Sequence, residues 1–161
     1  MEKNPLRKTW PLILIVIITA ISLFWLFSGR NDDNGSVEAR LGDCRLQLEI
    51  AASERSQYRG LSDRDSLCQD CGLLFIFDNQ AKRNFVMRDM RFPLDIVYLR
   101  DGKVTEILSD LQPEGSNRLT DHISQEDIDM ALEINAGQAD ACRIATSSSI
   151  YFTTKYYGQT D

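Results

Sequence analysis

The stretch Asp95-Ile-Val-Tyr-Leu-Arg-Asp-Gly-Lys-Val-Thr-Glu-Ile-Leu108 decides the fold. Two runs rich in β-branched and aromatic residues flank Asp101-Gly102. Asp-Gly suits a type I′ turn, whose two central residues need positive φ. The stretch is therefore predicted to be an antiparallel hairpin, the strongest local signal in the chain.

Upstream, Pro93 forces an irregular corner, because proline lacks a ladder donor. Before it, Asn84 to Met90 is predicted as a strand, and Gly72 to Phe77 as a short apolar core strand. Ser62 to Asp70 forms a polar turn. From Arg45 to Ala51 the chain alternates, with Leu46, Leu48 and Ile50 on one face and Arg45, Gln47 and Glu49 on the other, as in a half-buried strand. Ser53 offers an N-cap, Glu54 suits a first turn and Gly60 a C′ position, so a short helix is expected there. Downstream, Gln112 to Asp121 reads as a loop and Ile128 to Ile134 as a strand with Glu133 pointing outward. Asn135 with Gln138 resembles a capping box for a second short helix, and Ser149 to Thr153 reads as a closing strand. Strands outnumber short helices and do not alternate with long ones. The expected class is α+β, with a predominantly antiparallel, strongly curved or barrel-like sheet.

The N-terminal part is of a different kind. Trp10 to Phe27 carries no charge and only Thr19 and Ser22 as polar residues. Eighteen residues at 1.5 Å of rise reach about 27 Å, close to the hydrocarbon thickness of a bilayer. Lys3, Arg7 and Lys8 precede it against Glu2 alone, whereas Arg30 is followed by Asp32, Asp33 and Glu38; this bias keeps the N-terminus in the cytoplasm. No Ala-x-Ala-like cleavage site follows, which favours an uncleaved anchor over a signal peptide. The expected organisation is a cytoplasmic N-terminus over 1–9, a transmembrane helix over 10–28, a flexible linker over 29–42, an extracytoplasmic domain over 43–154 and a frayed tail over 155–161.

Beyond residue 30 the chain keeps 14 of its 18 Lys and Arg and 23 of its 24 Asp and Glu, a formal charge of −9. Nucleic-acid binding needs a basic footprint, and this balance argues against it. Solubility is the simplest use of the acidity.

Several short blocks come in a characteristic order: Glu54-Arg55, Gly60-Leu61, Arg64, Gly72-Leu-Leu-Phe-Ile-Phe77, Phe85-Val-Met-Arg88, Pro93-Leu-Asp-Ile96 and Leu132-Glu-Ile-Asn-Ala-Gly137. Together they resemble the bacterial and archaeal family named domain of unknown function 192, over about residues 44–153. Where that family commonly has Phe-Trp-Met-Lys-Asn-Thr, this chain has Phe85-Val-Met-Arg-Asp-Met90. The resemblance implies a compact, mostly β domain, often behind an N-terminal export or anchor segment, and no established activity. Arg55, Arg64, Met87, Arg88, Asp95 and Glu133 are the candidate ligand-binding cluster, because the family-like blocks concentrate there.

All four cysteines lie beyond the apolar segment. An even count in an oxidising compartment reads first as a disulfide framework, and three connectivities are possible. Cys44–Cys142 with Cys68–Cys71 is the favoured one. Cys68-Gln-Asp-Cys71 is also the sharpest redox candidate, but Asp70 within it and Asp65 near it do not lower a thiol pKa, and a strand rather than a helix follows. A four-cysteine zinc site usually shows two paired knuckles, and this chain has one.

His122 is the single histidine, so a Ser-His-Asp or Cys-His arrangement would have to use it. Its acidic surroundings read as an exposed loop. Glu54, Asp95 and Glu133 are the acids available for carboxylate chemistry, which needs two of them within about 5–10 Å. No catalytic residue, metal site or cofactor is assigned. The expected function is a membrane-anchored, non-catalytic ligand-binding or scaffolding module whose partner is an envelope polymer, a small ligand or a surface protein. A thiol–disulfide oxidoreductase using Cys68 and Cys71 is the alternative, and a carboxylate-based hydrolase a third reading.

Overall fold

A computed structural model describes residues 35–115 and 118–153. The expected anchor over 10–28 and the tail over 155–161 lie outside the described residues. Among these residues nine strands and two short helices follow in the order β1 (Ser36–Leu41), β2 (Cys44–Ala51), α1 (Glu54–Arg59), β3 (Cys71–Ala81), β4 (Asn84–Phe85), β5 (Leu94–Arg100), β6 (Lys103–Leu111), β7 (His122–Ile123), β8 (Ile128–Asn135), α2 (Gln138–Ala141) and β9 (Tyr151–Phe152). Seven of the strands form one sheet in the order β6-β5-β8-β3-β2-β1-β9, and β4 pairs with β7. Only β2 and β3 run parallel in the large sheet; its other pairings are antiparallel. The α+β class with a curved sheet is thereby observed.

The hairpin forms where the sequence places it. Asp101 and Gly102 have φ of 50° and 73°, the two positive values that a type I′ turn requires, and Arg100 pairs with Lys103. Register shifts in the β5–β6 ladder, between Leu94 and Ile96 and between Tyr98 and Leu99, add local twist.

The sheet curls until one segment meets both of its edges. Ile150 donates to Gly102 O and Val104 to Ser148 O at the β6 edge. A few residues on, Tyr151 and Phe152 pair with Arg40 and Ala39 of β1. The result is a curled half-barrel.

Several expectations are corrected. Ser36–Leu41, expected in the linker, is a strand, because Val37, Ala39 and Leu41 alternate inward against β2. The strand expected over Asn84–Met90 is only two residues long. Asp89 turns to φ 53°, and the chain at Met87 and Asp89 bonds to Glu114 rather than to a sheet neighbour. His122, expected in an exposed loop, is half-buried in β7 opposite Phe85.

Ser53 caps α1 as expected, accepting from Ser56 N at 3.2 Å, and Gly60 ends the helix. The capping box expected for α2 does not form. Gly137 opens that helix at φ 78° with no side-chain cap of its own. Instead, the Asn135 amide donates to the Leu67 and Cys68 carbonyls, and the Gln138 amide to Gln69 O. Both amides hold the loop that carries Cys68. Cys68 is paired with Cys71 and Cys44 with Cys142, at Cα separations of 5.1 and 5.3 Å. Closing a loop of about 100 residues stabilises by about 4–5 kcal/mol in the chain-entropy account.

Both faces of the sheet centre are covered, which explains the apolar runs Leu73–Phe77 in β3 and Ile96–Leu99 in β5. One face buries Leu46, Leu48, Leu74, Val97, Leu132 and Ile134, together with Ile144 and Ile150 from the C-terminal segment. The other buries Leu73, Phe75, Ile96, Tyr98 and Ala131 beneath Leu61, Phe85, Met87 and Met90.

Candidate functional site

The second face contains a polar row. Glu49, Leu73, Glu133 and Ile96 are register partners across β2, β3, β8 and β5, so their side chains share that face. Glu133 is 6% exposed, not outward as the sequence suggests. Alternation places every second residue of β8 on each face, but here both faces are buried, so the acid could not escape to solvent. Burial pushes its carboxyl up to about 8, with the nearby Arg64 guanidinium pulling the other way. Arg64 forks onto Glu49 with two bonds of 2.6 and 2.7 Å. Glu133 Oε2 is buried with no hydrogen-bond partner among the described residues. An unsatisfied buried oxygen costs about 1–3 kcal/mol, so it calls for an explanation.

Above Glu133 lies a cavity of about 270 Å³. The C-terminal end of α1 and the following Gly60-Leu61-Ser62 form one wall. Arg83, β4, Val86 and Arg88 form the other, and Phe75, Phe77 and Glu133 form the base. Gly60 has φ 53° and ψ −134°, a conformation essentially restricted to glycine. A Cβ at this position would stand 3.6 Å from Glu133 Oε2 and from Phe75 Cζ, in ordinary contact. Backbone conformation, rather than crowding, therefore demands glycine beside the buried acid.

Two arginines stand over aromatic rings at this site. The Arg83 guanidinium is 4.2 Å above the Phe77 ring, and that of Arg88 is 4.2 Å above Tyr58. Arg88 also donates to Tyr58 O at 2.8 Å, and its own carbonyl accepts from Ser62 Oγ at 2.8 Å. Arg83 donates to Asn79 through Nη2, while its buried Nε has no partner among the described residues. Phe75 meets Phe85 edge-on with centroids 5.0 Å apart, which stiffens the apolar side. The Tyr98 hydroxyl donates to His122 O at 2.7 Å; burial, then Glu106 and Glu133, raise its pKa.

Of the six residues proposed from sequence, Arg88 and Glu133 line this cavity and the other four do not. Arg55 is exposed on α1. Arg64 lies beside the polar row on Glu49. Met87 is 1% exposed, in the core. Asp95 belongs to the opposite side of the sheet: it pairs with Ile134, whereas Glu133 pairs with Ile96. Both Asp95 oxygens are used, one accepting from Asp110 N and the other from Ala139 N, each at 2.9 Å. Asp95 thus caps α2 from a distance.

This placement separates Asp95 from Glu133, and Glu54 is exposed at the start of α1. The carboxylate pair that a hydrolase needs is not assembled from these three acids. Cys68 is exposed and bonded to Cys71, in a turn before β3 rather than at a helix N-terminus. No cluster of three or more metal-ligating side chains occurs among the described residues.

A curled α+β half-barrel, with one face sealed and the other opened by an arginine-rimmed cavity over a buried acid, defines the class of domain. The chain belongs to the family described as uncharacterized ACR, domain of unknown function 192, whose model matches residues 37–152. Two solved structures share the fold. One is a protein provisionally described as a transcription regulator from Sinorhizobium meliloti 1021, 24% identical, with a TM-score of 0.68 over 74% of this chain and 95% of that one. The other is a protein of unknown function from Novosphingobium aromaticivorans DSM 12444, 23% identical, with a TM-score of 0.69 over 76% of this chain and 89% of that one. No curated protein matches the chain.

Proposed function

We propose that this protein is a single-pass membrane protein whose domain works outside the cytoplasm as a non-catalytic module binding a small ligand in the Glu133 cavity. The observation that carries the binding reading is the unpartnered, buried Oε2 of Glu133, a residue that lines a cavity of about 270 Å³. A carboxyl group left without a partner in an apolar face is costly, and a ligand that bonds to it removes that cost. The apolar, uncharged run over residues 10–28 and its flanking charge bias support the anchored topology.

Melting the full-length protein against a small-molecule collection tests the binding reading. Ligands are expected to raise the melting temperature by mass action, and Arg88→Ala is expected to abolish the rise. If no compound raises it, or if every rise survives Arg88→Ala, the cavity is not the site. A phosphatase reporter that is active only outside the cytoplasm, fused after the domain, tests the topology. Activity is expected; an inactive fusion, alongside an active cytoplasmic reporter at the same place, overturns the anchor orientation.

A further inference from the structure

The charge around the cavity is opposite to that of the chain. The protein carries a formal −6, yet the charged residues lining this cavity are Arg59, Arg83 and Arg88 against Glu133 alone. Glu133 is uncharged at neutral pH, since burial holds its carboxyl protonated up to about 8. The local field is therefore positive, in a low-dielectric pocket that strengthens it. The unsatisfied polar atoms have matching character. A protonated Glu133 can present an O–H donor, and Arg83 Nε is a buried donor without a partner among the described residues. Two carbonyls nearby already accept bonds: Tyr58 O takes Arg88, and Arg88 O takes Ser62. Phe75, Phe77 and Phe85 supply flat apolar surface beside these donors.

We infer that the cavity selects a small organic oxyanion, a carboxylate or phosphate monoester carried on a flat apolar body, held by the arginine rim and by an O–H donated from Glu133. This inference rests on the ligand-binding reading above and adds the chemical class. A carboxylic acid kept neutral by its surroundings is a hydrogen-bond donor, so an anionic oxygen is its natural complement, and such charge-assisted bonds are the stronger kind. A cationic ligand would meet the Arg83 and Arg88 guanidinium groups, with Glu133 the single acid among the lining residues. The volume, below that of drug-sized sites, limits the body to a single ring or short chain.

Ionising Glu133 would place a carboxylate against the bound anion, so affinity depends on its proton. The charged and titratable groups around it are Arg64 and Glu49 along the row, Tyr98 on β5, and Arg59, Arg83 and Arg88 in the cavity. Of these, Arg64 opposes the upward shift of Glu133, and burial outweighs it.

The test uses the full-length protein in detergent, with its methionine methyls labelled for NMR. Met90 lines the cavity and reports directly on occupancy. Benzoate, phenyl phosphate, benzamide and benzylamine are titrated in turn at pH 6.5. Benzoate or phenyl phosphate is expected to shift the Met90 methyl at least tenfold more tightly than benzamide or benzylamine, and the tighter of the two anions assigns the headgroup. Arg83→Gln is expected to weaken that anion at least tenfold. Raising the pH to 9.5 is expected to weaken it similarly in the native protein, but not in Glu133→Gln, whose amide still donates. Equal or tighter binding of benzamide or benzylamine overturns the oxyanion class while leaving the cavity a binding site. An anion affinity that falls equally with pH in Glu133→Gln overturns the donor role. If none of the four moves Met90, the oxyanion inference falls, while the binding reading is decided by the melting series.

Discussion

Leu132 and Glu133 are neighbours on β8, yet they face two different interiors. Leu132 enters a face of aliphatic side chains sealed by the Cys44–Cys142 pair and the C-terminal segment. Glu133 enters a face that is equally buried but roofed by the α1 and β4 connections, which do not fill it. The same strand, shifted by one residue, thus serves packing on one side and leaves an unsatisfied carboxyl on the other. A protein that needed only stability would place a leucine at both positions. The two faces therefore separate the residues that hold the sheet together from those that leave room for something else.

Substitutions at the two positions separate the roles most sharply. Glu133 titrates near 8 in the folded protein against 4.5 when unfolded. Its contribution is fully present below about 4.5 and is lost as pH rises through about 8, because the unfolded chain releases its proton first. At about 1.4 kcal/mol per pKa unit, the ceiling is about 5 kcal/mol. Glu133→Gln removes this loss. Its melting temperature, relative to the native protein, is expected to climb between pH 5 and about pH 8 and to level off above that. Parallel melting curves across that range would show that the acid is solvated after all.

Leu132→Ala on the sealed face is expected to cost about 3 kcal/mol at every pH, by lost transfer and a residual cavity. Chemical denaturation at pH 5 and pH 8 checks this. A cost that changes with pH would mean that the two faces are not independent. The smallest effect belongs to Arg64→Ala. Its fork onto Glu49 is partly exposed, so about 1 kcal/mol or less is expected. Loss of the guanidinium also moves the Glu133 titration to higher pH, visible as a shifted midpoint in the same melting series. An unmoved midpoint would show that Arg64 does not act on Glu133.

The sealed face and the hairpin were legible because their signals are local. Asp101-Gly102 names its own turn, and Leu46, Leu48 and Ile50 alternate visibly with Arg45, Gln47 and Glu49. The open face was harder to read. Its roof comes from residues 57–62 and 83–90, and β4 and β7 are two residues each, too short for any periodicity. Arg88 was singled out, but nothing near Arg59 or Arg83 marks them as partners across a cavity. Glu133 reads as outward from the sequence and lies inward in the structure, because alternation assumes that one face is wet. An acid inside Ala131-Leu-Glu-Ile134 has apolar neighbours on both sides, and that was the available clue. Asp95 was equally visible in sequence, but its partners Asp110 N and Ala139 N come from distant backbone that no spacing rule foretells.

The segment at 147–153, which bonds to β6 at Gly102 and Val104 and to β1 at Ala39 and Arg40, has a consequence for synthesis. A chain is made from its N-terminus, so the two strands that this segment joins exist long before it does. Until it arrives, the sheet has two bare edges with backbone groups open to pairing with other chains. A chain cut short before residue 147 keeps both edges for good. Residues 147–153 are thus made after both of the strands they join, and they turn a sheet with two open edges into a closed one.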